Sequence, residues 1–211
     1  YYFLATLSHI KPYKVSFRTL WGTKMSGYLP EANTFYYYGF CEANITSFLL
    51  RFLRKGVTFI DVGAHIGFYS TLASELVLDE GKVYSFEPTP WTYKLLLANT
   101  ANLANVRAIN VGVSDVDSET SFADYGHGYG AYNSASADGT ILKFKPKQTI
   151  IKTAQLDKFC KENNIRPDFI KLDAEGFEYK ILAGMKEILR YDRPLITLEM
   201  ANDEKWSNNY N

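Results

Sequence analysis

The chain has 211 residues, enough for one domain of ordinary size with its own hydrophobic core. Hydrophobic residues make up 46% of it, which excludes a disordered or fibrous protein. The 23 basic and 23 acidic residues cancel, so the chain lacks the basic excess typical of proteins that bind nucleic acid or anionic membranes.

The cysteine content and the hydropathy of the chain indicate the cellular compartment in which the protein is expected. The two cysteines, Cys41 and Cys160, are too few for a disulfide framework or a thiolate metal cluster, and they fit a reducing compartment. No uninterrupted apolar run reaches the about 18 residues that a membrane-spanning helix needs. We therefore expect a cytoplasmic protein without a membrane span.

The N-terminal part is predicted to form a hairpin and a helix. Residues 15–20 and 24–29 have the composition of short strands and meet near Gly22, which predicts a β-hairpin. Residues 42–55 carry apolar side chains at helical spacing, and Gly56 marks the end of that helix.

From residue 57 onward, predicted strands alternate with predicted helices. The strands are at 57–62, 82–86, 106–111, 168–172 and 194–200, and the helices at 66–78, 90–103, 156–163 and 178–189. Residues 114–152 interrupt this alternation, with strand-like stretches at 140–144 and 149–151. The alternation predicts an α/β fold with a doubly wound parallel sheet, helices on both faces and ligands at the carboxyl ends of its strands. We expect residues 1–56 to pack on the main domain, residues 57–211, as one structural unit.

A glycine turn, DVGAHIG at residues 61–67, follows the first strand of the predicted sheet. Gly63 and Gly67 permit a sharp turn and the close approach of a ligand. A dinucleotide-binding fingerprint would need glycine at the position of His65, and a Walker loop would need Gly-Lys-Ser/Thr. Neither is present, so the turn does not predict a pyrophosphate site.

Two further strand ends complete a candidate nucleoside site. Glu87 follows the second strand, where a carboxylate can accept hydrogen bonds from both hydroxyls of a ribose. The segment NVGVSD, residues 110–115, closes the third strand, where Gly112 would let the chain pass close to a flat base. These strand ends are neighbours in a doubly wound sheet, so together they predict a nucleoside site.

These segments resemble the FkbM-type family of S-adenosylmethionine-dependent methyltransferases. The matching pieces, in family order, are FIDVGAHIG at 59–67, SFEP at 85–88, NVGVSD at 110–115, TAQLD at 153–157, FIKLDAEGFE at 169–178 and TLE at 197–199. The resemblance covers roughly residues 35–200 and implies a seven-stranded, Rossmann-like class I methyltransferase fold that binds S-adenosylmethionine.

The resemblance also implies which residues contact this cofactor. The methionine part would lie against the glycine turn, at Asp61, Gly63, Ala64, His65 and Gly67. The ribose would be bound by Glu87, and the adenine would lie against Gly112 and Val113. His65 is a departure, because the family usually has asparagine at this position.

Catalysis has three candidate residues. Asp173 ends a predicted strand and Glu175 lies two residues beyond, so either could act as a base or orient the reactants. Alternatively, Glu175 and Glu178 only stabilise the N-terminus of the next helix. His127 is an alternative base, because histidine titrates near neutral pH. Its glycine- and tyrosine-rich segment, residues 124–133, could be a lid over the acceptor or a surface excursion.

We expect an S-adenosylmethionine-dependent O-methyltransferase that modifies a hydroxyl of a sugar, a glycan or a natural product. The alternatives are methylation of a protein or nucleic acid, the latter disfavoured by the zero net charge, and a non-catalytic nucleoside-binding module. Clustered carboxylates could hold a divalent cation, but we expect no metal. Tyr38 or Glu42, just before the sheet, could close over the donor, and core packing or strand pairing explains this segment equally well.

Overall fold

The computed structural model describes residues 11–126, 145–174 and 176–198. His127, Glu175 and the strand predicted at 140–144 lie outside these described residues. The predicted N-terminal hairpin is present as β1 (Tyr13–Arg18) and β2 (Lys24–Leu29), which pair antiparallel.

Two helices follow the hairpin, of which the sequence analysis predicted only the second. The short helix α1 (Asn33–Tyr38) ends at Gly39, which adopts a left-handed conformation. The run of aromatic residues in α1 has no helical periodicity, and none of its side chains is buried, so no apolar stripe signalled it. The predicted helix α2 (Ala43–Phe52) buries Leu49 completely in the core.

The predicted alternation of strands and helices is observed from residue 58 onward. In chain order the elements are β3 (Thr58–Val62), α3 (Phe68–Val77), β4 (Lys82–Phe86), α4 (Pro90–Thr100), β5 (Val106–Ile109), β6 (Gly112–Ser114), β7 (Ser118–Asp124), β8 (Lys147–Gln155), α5 (Leu156–Glu162), β9 (Phe169–Leu172), α6 (Glu178–Ala183) and β10 (Leu195–Leu198). Five of the strands form a parallel sheet in the order β10-β9-β3-β4-β5. The doubly wound α/β fold is therefore confirmed, with five strands in the described part of the chain.

Both faces of this sheet are covered by apolar side chains. Because successive residues of a strand point to opposite faces, Phe59 belongs to a core with the hairpin, α2 and α3, whereas Ile60 belongs to a core with α5 and α6. Burial on two faces explains why the central strands read as continuous apolar runs.

Several predicted boundaries differ from the observed ones by two or more residues, and two of these differences bear on the site. The third strand, predicted at 106–111, ends at Ile109, because Asn110 donates hydrogen bonds to the carbonyls of Glu87 (2.8 Å) and Pro88 (3.0 Å) and turns the chain away. Residues beyond the turn form β6 in a separate sheet of order β6-β8-β7, in which β6 is parallel and β7 antiparallel to β8.

The helix predicted at 178–189 is also shorter than expected. It ends at Ala183, and a π-helical turn at Ile188–Asp192 precedes β10. A Cβ at Gly184 would lie 2.3 Å from the carbonyl oxygen of Ser114, so the chain crosses β6 closely at this point. None of the helices in residues 11–126, 145–174 and 176–198 has the length and hydropathy needed to cross a membrane.

Candidate functional site: a polar row at the carboxyl edge of the sheet

A row of polar side chains crosses the parallel sheet one residue before the strands end. Thr197 of β10 is in register with Lys171 of β9, Lys171 with Asp61 of β3, and Asp61 with Ser85 of β4. Residues in register on parallel strands point to the same face, so these four side chains share the face that α3 covers. Ser70 of α3 donates a hydrogen bond to Asp61 Oδ2 (2.7 Å) and accepts one from Ser85 (2.8 Å).

Lys171 places a buried positive charge between two carboxylates. Its Nζ lies 2.8 Å from Asp173 Oδ2 and 3.8 Å from Asp61 Oδ1, and it stands 5.0 Å from the centre of the Tyr69 ring. Burial alone would lower the pKa of Lys171, but the carboxylates of Asp173 and Asp61 outweigh it and raise that pKa. The side chain is therefore an ammonium ion at neutral pH.

Asp61 is a fully buried carboxylate that is only partly hydrogen-bonded. Burial raises its pKa, against the opposing effects of the Lys171 ammonium and the Ser70 hydroxyl. Its Oδ1 atom is buried and makes no hydrogen bond to any of the described residues. A buried carboxylate oxygen of this kind can accept a donor or face a cation from a ligand.

The glycine turn is shaped by contacts with the protein itself. A Cβ at Gly63, whose φ is +74°, would lie 1.7 Å from the carbonyl oxygen of Asp173. A Cβ at Gly67, whose φ is +91°, would lie 2.8 Å from Leu96 Cδ1. The sequence predicts a sharp turn and the close approach of a ligand at these glycines, whereas the structure shows that they leave room for the end of β9 and for helix α4. The amides of Gly63 and Ala64 both donate to the carbonyl of Phe86, at 3.0 and 2.9 Å.

Glu87 joins this turn to the end of β4. Its Oε2 accepts a hydrogen bond from the His65 amide (3.0 Å), and its Oε1 accepts one from the Thr89 amide (2.9 Å). Burial raises the pKa of Glu87, with the charge of His65 and these hydrogen bonds opposing. A carboxylate has about four acceptor sites, so two amides leave Glu87 able to accept the hydroxyls of a ligand.

His65 itself is held in an unusual position. Its φ of +51° lies in the left-handed region, and its Nε2 forms an ion pair of 2.7 Å with Glu31 Oε1, which ties the turn to the N-terminal segment. Burial opposes the charged imidazole, but the carboxylates of Glu31, Glu87 and Asp173 outweigh it and raise the pKa of His65 to about 9.

The third strand end lies beside the second. A Cβ at Gly112 would be 3.4 Å from Pro88 Cβ, so β6 passes next to the residue that follows Glu87. Val113 is buried in the core beneath the sheet. The adenine contacts implied for Gly112 and Val113 stay predictions.

Tyr69 connects the segment before α2 to the surroundings of Lys171. The Tyr69 hydroxyl donates a hydrogen bond of 2.5 Å to Glu42 Oε2 and lies 3.7 Å from the Cys41 sulfur. Burial raises the pKa of the Cys41 thiol to about 12. Glu42 thus lies near Lys171, whereas the Tyr38 side chain is exposed.

The site also contains Lys171, Ser70 and Ser85, which were not among the predicted site residues. The signal for Lys171 was visible, because a lysine interrupts the otherwise apolar strand FIKL. The two serines carried no local signal. Within the described residues, no three His, Cys, Asp or Glu side chains are arranged to hold a metal ion.

Comparison with known proteins decides the family. Residues 61–209, more than half of the chain, match the family model of the Methyltransferase FkbM domain. The chain belongs to the FkbM methyltransferase family. The resemblance inferred from the motifs is therefore confirmed, and the carboxylates of Asp61, Glu87 and Asp173 all lie within the matched FkbM domain.

One curated protein and two solved structures are similar to this FkbM chain. The hexuronic acid methyltransferase AglP of Haloferax volcanii is 26% identical over 151 residues, which cover 71% of this chain and 58% of AglP. The chain thus spans less than two thirds of this curated relative. The structure of methyltransferase FkbM from Methylobacillus flagellatus KT has a TM-score of 0.49 at 18% identity, covering 77% of this chain and 35% of that one. Precorrin-6y C5,15-methyltransferase from Geobacter metallireducens GS-15 has a TM-score of 0.48 at 13% identity, covering 81% and 69%.

Proposed function

We propose that this chain is an S-adenosylmethionine-dependent O-methyltransferase that acts on a hydroxyl of a sugar or glycan. The observation that carries the proposal is the convergence of Asp61, Glu87 and Asp173 at one edge of the sheet in a chain of the FkbM family. Ligands of open parallel sheets bind at this edge, outside the carboxyl ends of the strands.

The chemistry of the residues fits the donor. S-adenosylmethionine carries a sulfonium and an ammonium cation, and the buried Asp61 Oδ1 accepts no hydrogen bond within the described residues and has the Lys171 ammonium 3.8 Å away. Glu87 retains acceptor capacity for the two ribose hydroxyls. The remaining contacts proposed for the donor lie in the same turn and in β6: Gly63, Ala64, His65, Gly67, Gly112 and Val113.

The bound donor would supply a methyl group that is already activated by its positive sulfur. What this chain then has to do is hold the acceptor hydroxyl in line and remove its proton, for which a placed base contributes about 10²–10⁴-fold. Asp173 suits this task, because its carboxylate is anchored by Lys171 (2.8 Å) and its side chain is still 22% exposed. His127 and Glu175 remain proposed alternatives.

The nature of the acceptor is supported by a relative. AglP is named a hexuronic acid methyltransferase, which favours a sugar hydroxyl over a protein or nucleic acid here. We also propose a cytoplasmic location, which the free thiols of Cys41 and Cys160 support.

Calorimetry with S-adenosylhomocysteine tests the donor site. We expect the wild-type protein to bind, and Glu87→Gln to weaken binding at least tenfold, because an amide is a poorer acceptor for two hydroxyls than a carboxylate. Glu80→Gln is the matched control, since Glu80 is exposed and pairs with Lys55. Equal affinity of Glu87→Gln and wild type would refute the ribose assignment.

Turnover distinguishes an enzyme from a nucleoside-binding module. With S-adenosylmethionine and a panel of hexuronic acids and neutral sugars, mass spectrometry should detect a gain of one methyl group in at least one acceptor. Asp173→Asn should lower this turnover at least about 100-fold while changing donor affinity less than threefold. Donor binding without transfer to any sugar would favour the module, and an active Asp173→Asn would exclude Asp173 as the base.

A further inference from the structure

We infer that Lys171 is a positioning residue of the proposed donor site: its buried ammonium bridges the carboxylates of Asp61 and Asp173 and keeps both ionised at the edge of the sheet. The inference rests on the proposed function, and it identifies the cation that keeps the carboxyl groups of Asp61 and Asp173 ionised. No role for Lys171 followed from the sequence motifs.

The bridge lies between two adjacent strands in the middle of the parallel sheet. Lys171 and Asp61 are register partners on the adjacent central strands β9 and β3, and the lysine side chain is only 2% exposed. Asp173 follows β9 directly, and its amide donates to the Val62 carbonyl at 3.2 Å. The absence of a Cβ at Gly63 leaves room for the carbonyl of Asp173. The backbone therefore fixes Asp173, and the ammonium of Lys171 fixes its side chain.

Stability alone does not account for a lysine at this position. The other residues of β9, Phe169, Ile170 and Leu172, are buried and apolar. Buried ion pairs can often be replaced by apolar residues without loss of stability, because taking charges out of water is costly. The positive charge of Lys171 in such a strand is thus better explained by its effect on the ionisation of Asp61 and Asp173.

The surroundings of Lys171 explain why a cation is needed there. The titratable groups that face it are Asp61 from β3, Asp173 after β9, Glu42 and Cys41 from the segment before α2, and Tyr69 from α3. Without the ammonium, Asp61 and Asp173 would be two carboxylates in one poorly solvated cluster, which favours the uptake of a proton. A protonated Asp61 attracts the sulfonium of the donor less, and a protonated Asp173 cannot act as a base.

Carboxyl ¹³C NMR of the full chain tests the bridge without any ligand. In Lys171→Met the titration midpoints of the Asp61 and Asp173 carboxyls should rise by at least about one pH unit relative to wild type. Lys158→Met is the matched control, because Lys158 forms an exposed ion pair with Asp117. If Lys171→Met does not fold, Lys171→Met with Asp61→Asn removes one charge of each sign, and the Asp173 midpoint should then lie above that of Asp61→Asn alone. Unchanged midpoints would overturn the inference.

Calorimetry with S-adenosylmethionine then connects the bridge to the donor. At neutral pH, Lys171→Met should bind at least tenfold more weakly than wild type, and the loss should shrink as the pH rises and the carboxyls ionise. Lys158→Met should bind as wild type does. Failure of the wild type to bind would refute the proposed function and leave the NMR result standing, whereas tight, pH-independent binding by the Lys171 variant would refute the positioning role.

Discussion

The ion pair between His65 and Glu31 should stabilise the wild-type protein at neutral pH, and this effect should disappear as the pH rises through about 9. Replacing His65 by asparagine should remove the same contribution to the free energy of unfolding. In the folded protein the imidazole pairs with Glu31 at 2.7 Å, and nearby carboxylates overcome its burial and raise its pKa to about 9. Asparagine tolerates the left-handed backbone conformation of this position, so the exchange removes the charge without a new backbone strain.

The magnitude follows from the raised pKa of His65. The ordinary value is 6.5 and the folded value about 9, a difference of about 2.5 pH units. At about 1.36 kcal/mol for each pH unit, the ion pair contributes at most about 3 kcal/mol. Because 26% of the side chain is exposed and solvent screens it, we expect about 1–2 kcal/mol. The contribution is complete below about pH 6.5 and is lost as the pH rises through about 9.

Urea unfolding followed by tryptophan fluorescence from about pH 6 to about pH 10 measures this contribution. The free energy of unfolding of wild type minus that of His65→Asn should fall across this range. The thiols of Cys41 and Cys160, whose pKa values burial raises to about 12, contribute equally to both proteins and cancel in the difference. A difference that stays constant over the whole range would refute the assignment of the raised pKa to His65.

Two further substitutions test the contacts that shape the site. Gly63→Ala should destabilise by clearly more than Gly56→Ala, because both glycines have positive φ but only Gly63 lacks room for a Cβ, and equal losses in urea unfolding would contradict this. Ser70→Ala should cost about 1.5–3 kcal/mol, since it removes a hydrogen bond to the buried Asp61 carboxylate. Ser16→Ala is the control, because Ser16 is exposed, and it should change the free energy of unfolding by less than about 0.5 kcal/mol. If Ser70→Ala changed it by as little as Ser16→Ala, the buried hydrogen bond to Asp61 would contribute nothing to stability.

The strands of the central sheet could be predicted because each is a short apolar run bounded by turn residues. The strand at 82–86 has the predicted ends, and β3 and β9 each begin one residue later than predicted. The separate sheet of β6, β7 and β8 could not be predicted in the same way. Its strands are short or carry many polar residues, and its pairing joins residues 112–114 to 153–155 across a long insertion.

The candidate site was predictable to the extent that it follows from strand ends. Asp61, Glu87 and Asp173 each lie within one residue of the end of a strand, so the topology of a doubly wound sheet brings them to one edge. The partners that set their charge were not predictable, because Lys171 meets Asp61, and Glu31 meets His65, only in the folded chain.

By itself, the amino-acid sequence determined the alternating strands and helices of the parallel sheet, the glycine turn and the family, because periodicity, turn residues and motifs are local properties of the chain. Only the tertiary structure decided that Lys171 lies between two carboxylates and that Gly63 makes room for Asp173. These features depend on the register between β3 and β9, whose paired residues Asp61 and Lys171 are separated by more than 100 positions. No local pattern specifies such a pairing, because it is selected by the packing of the whole sheet.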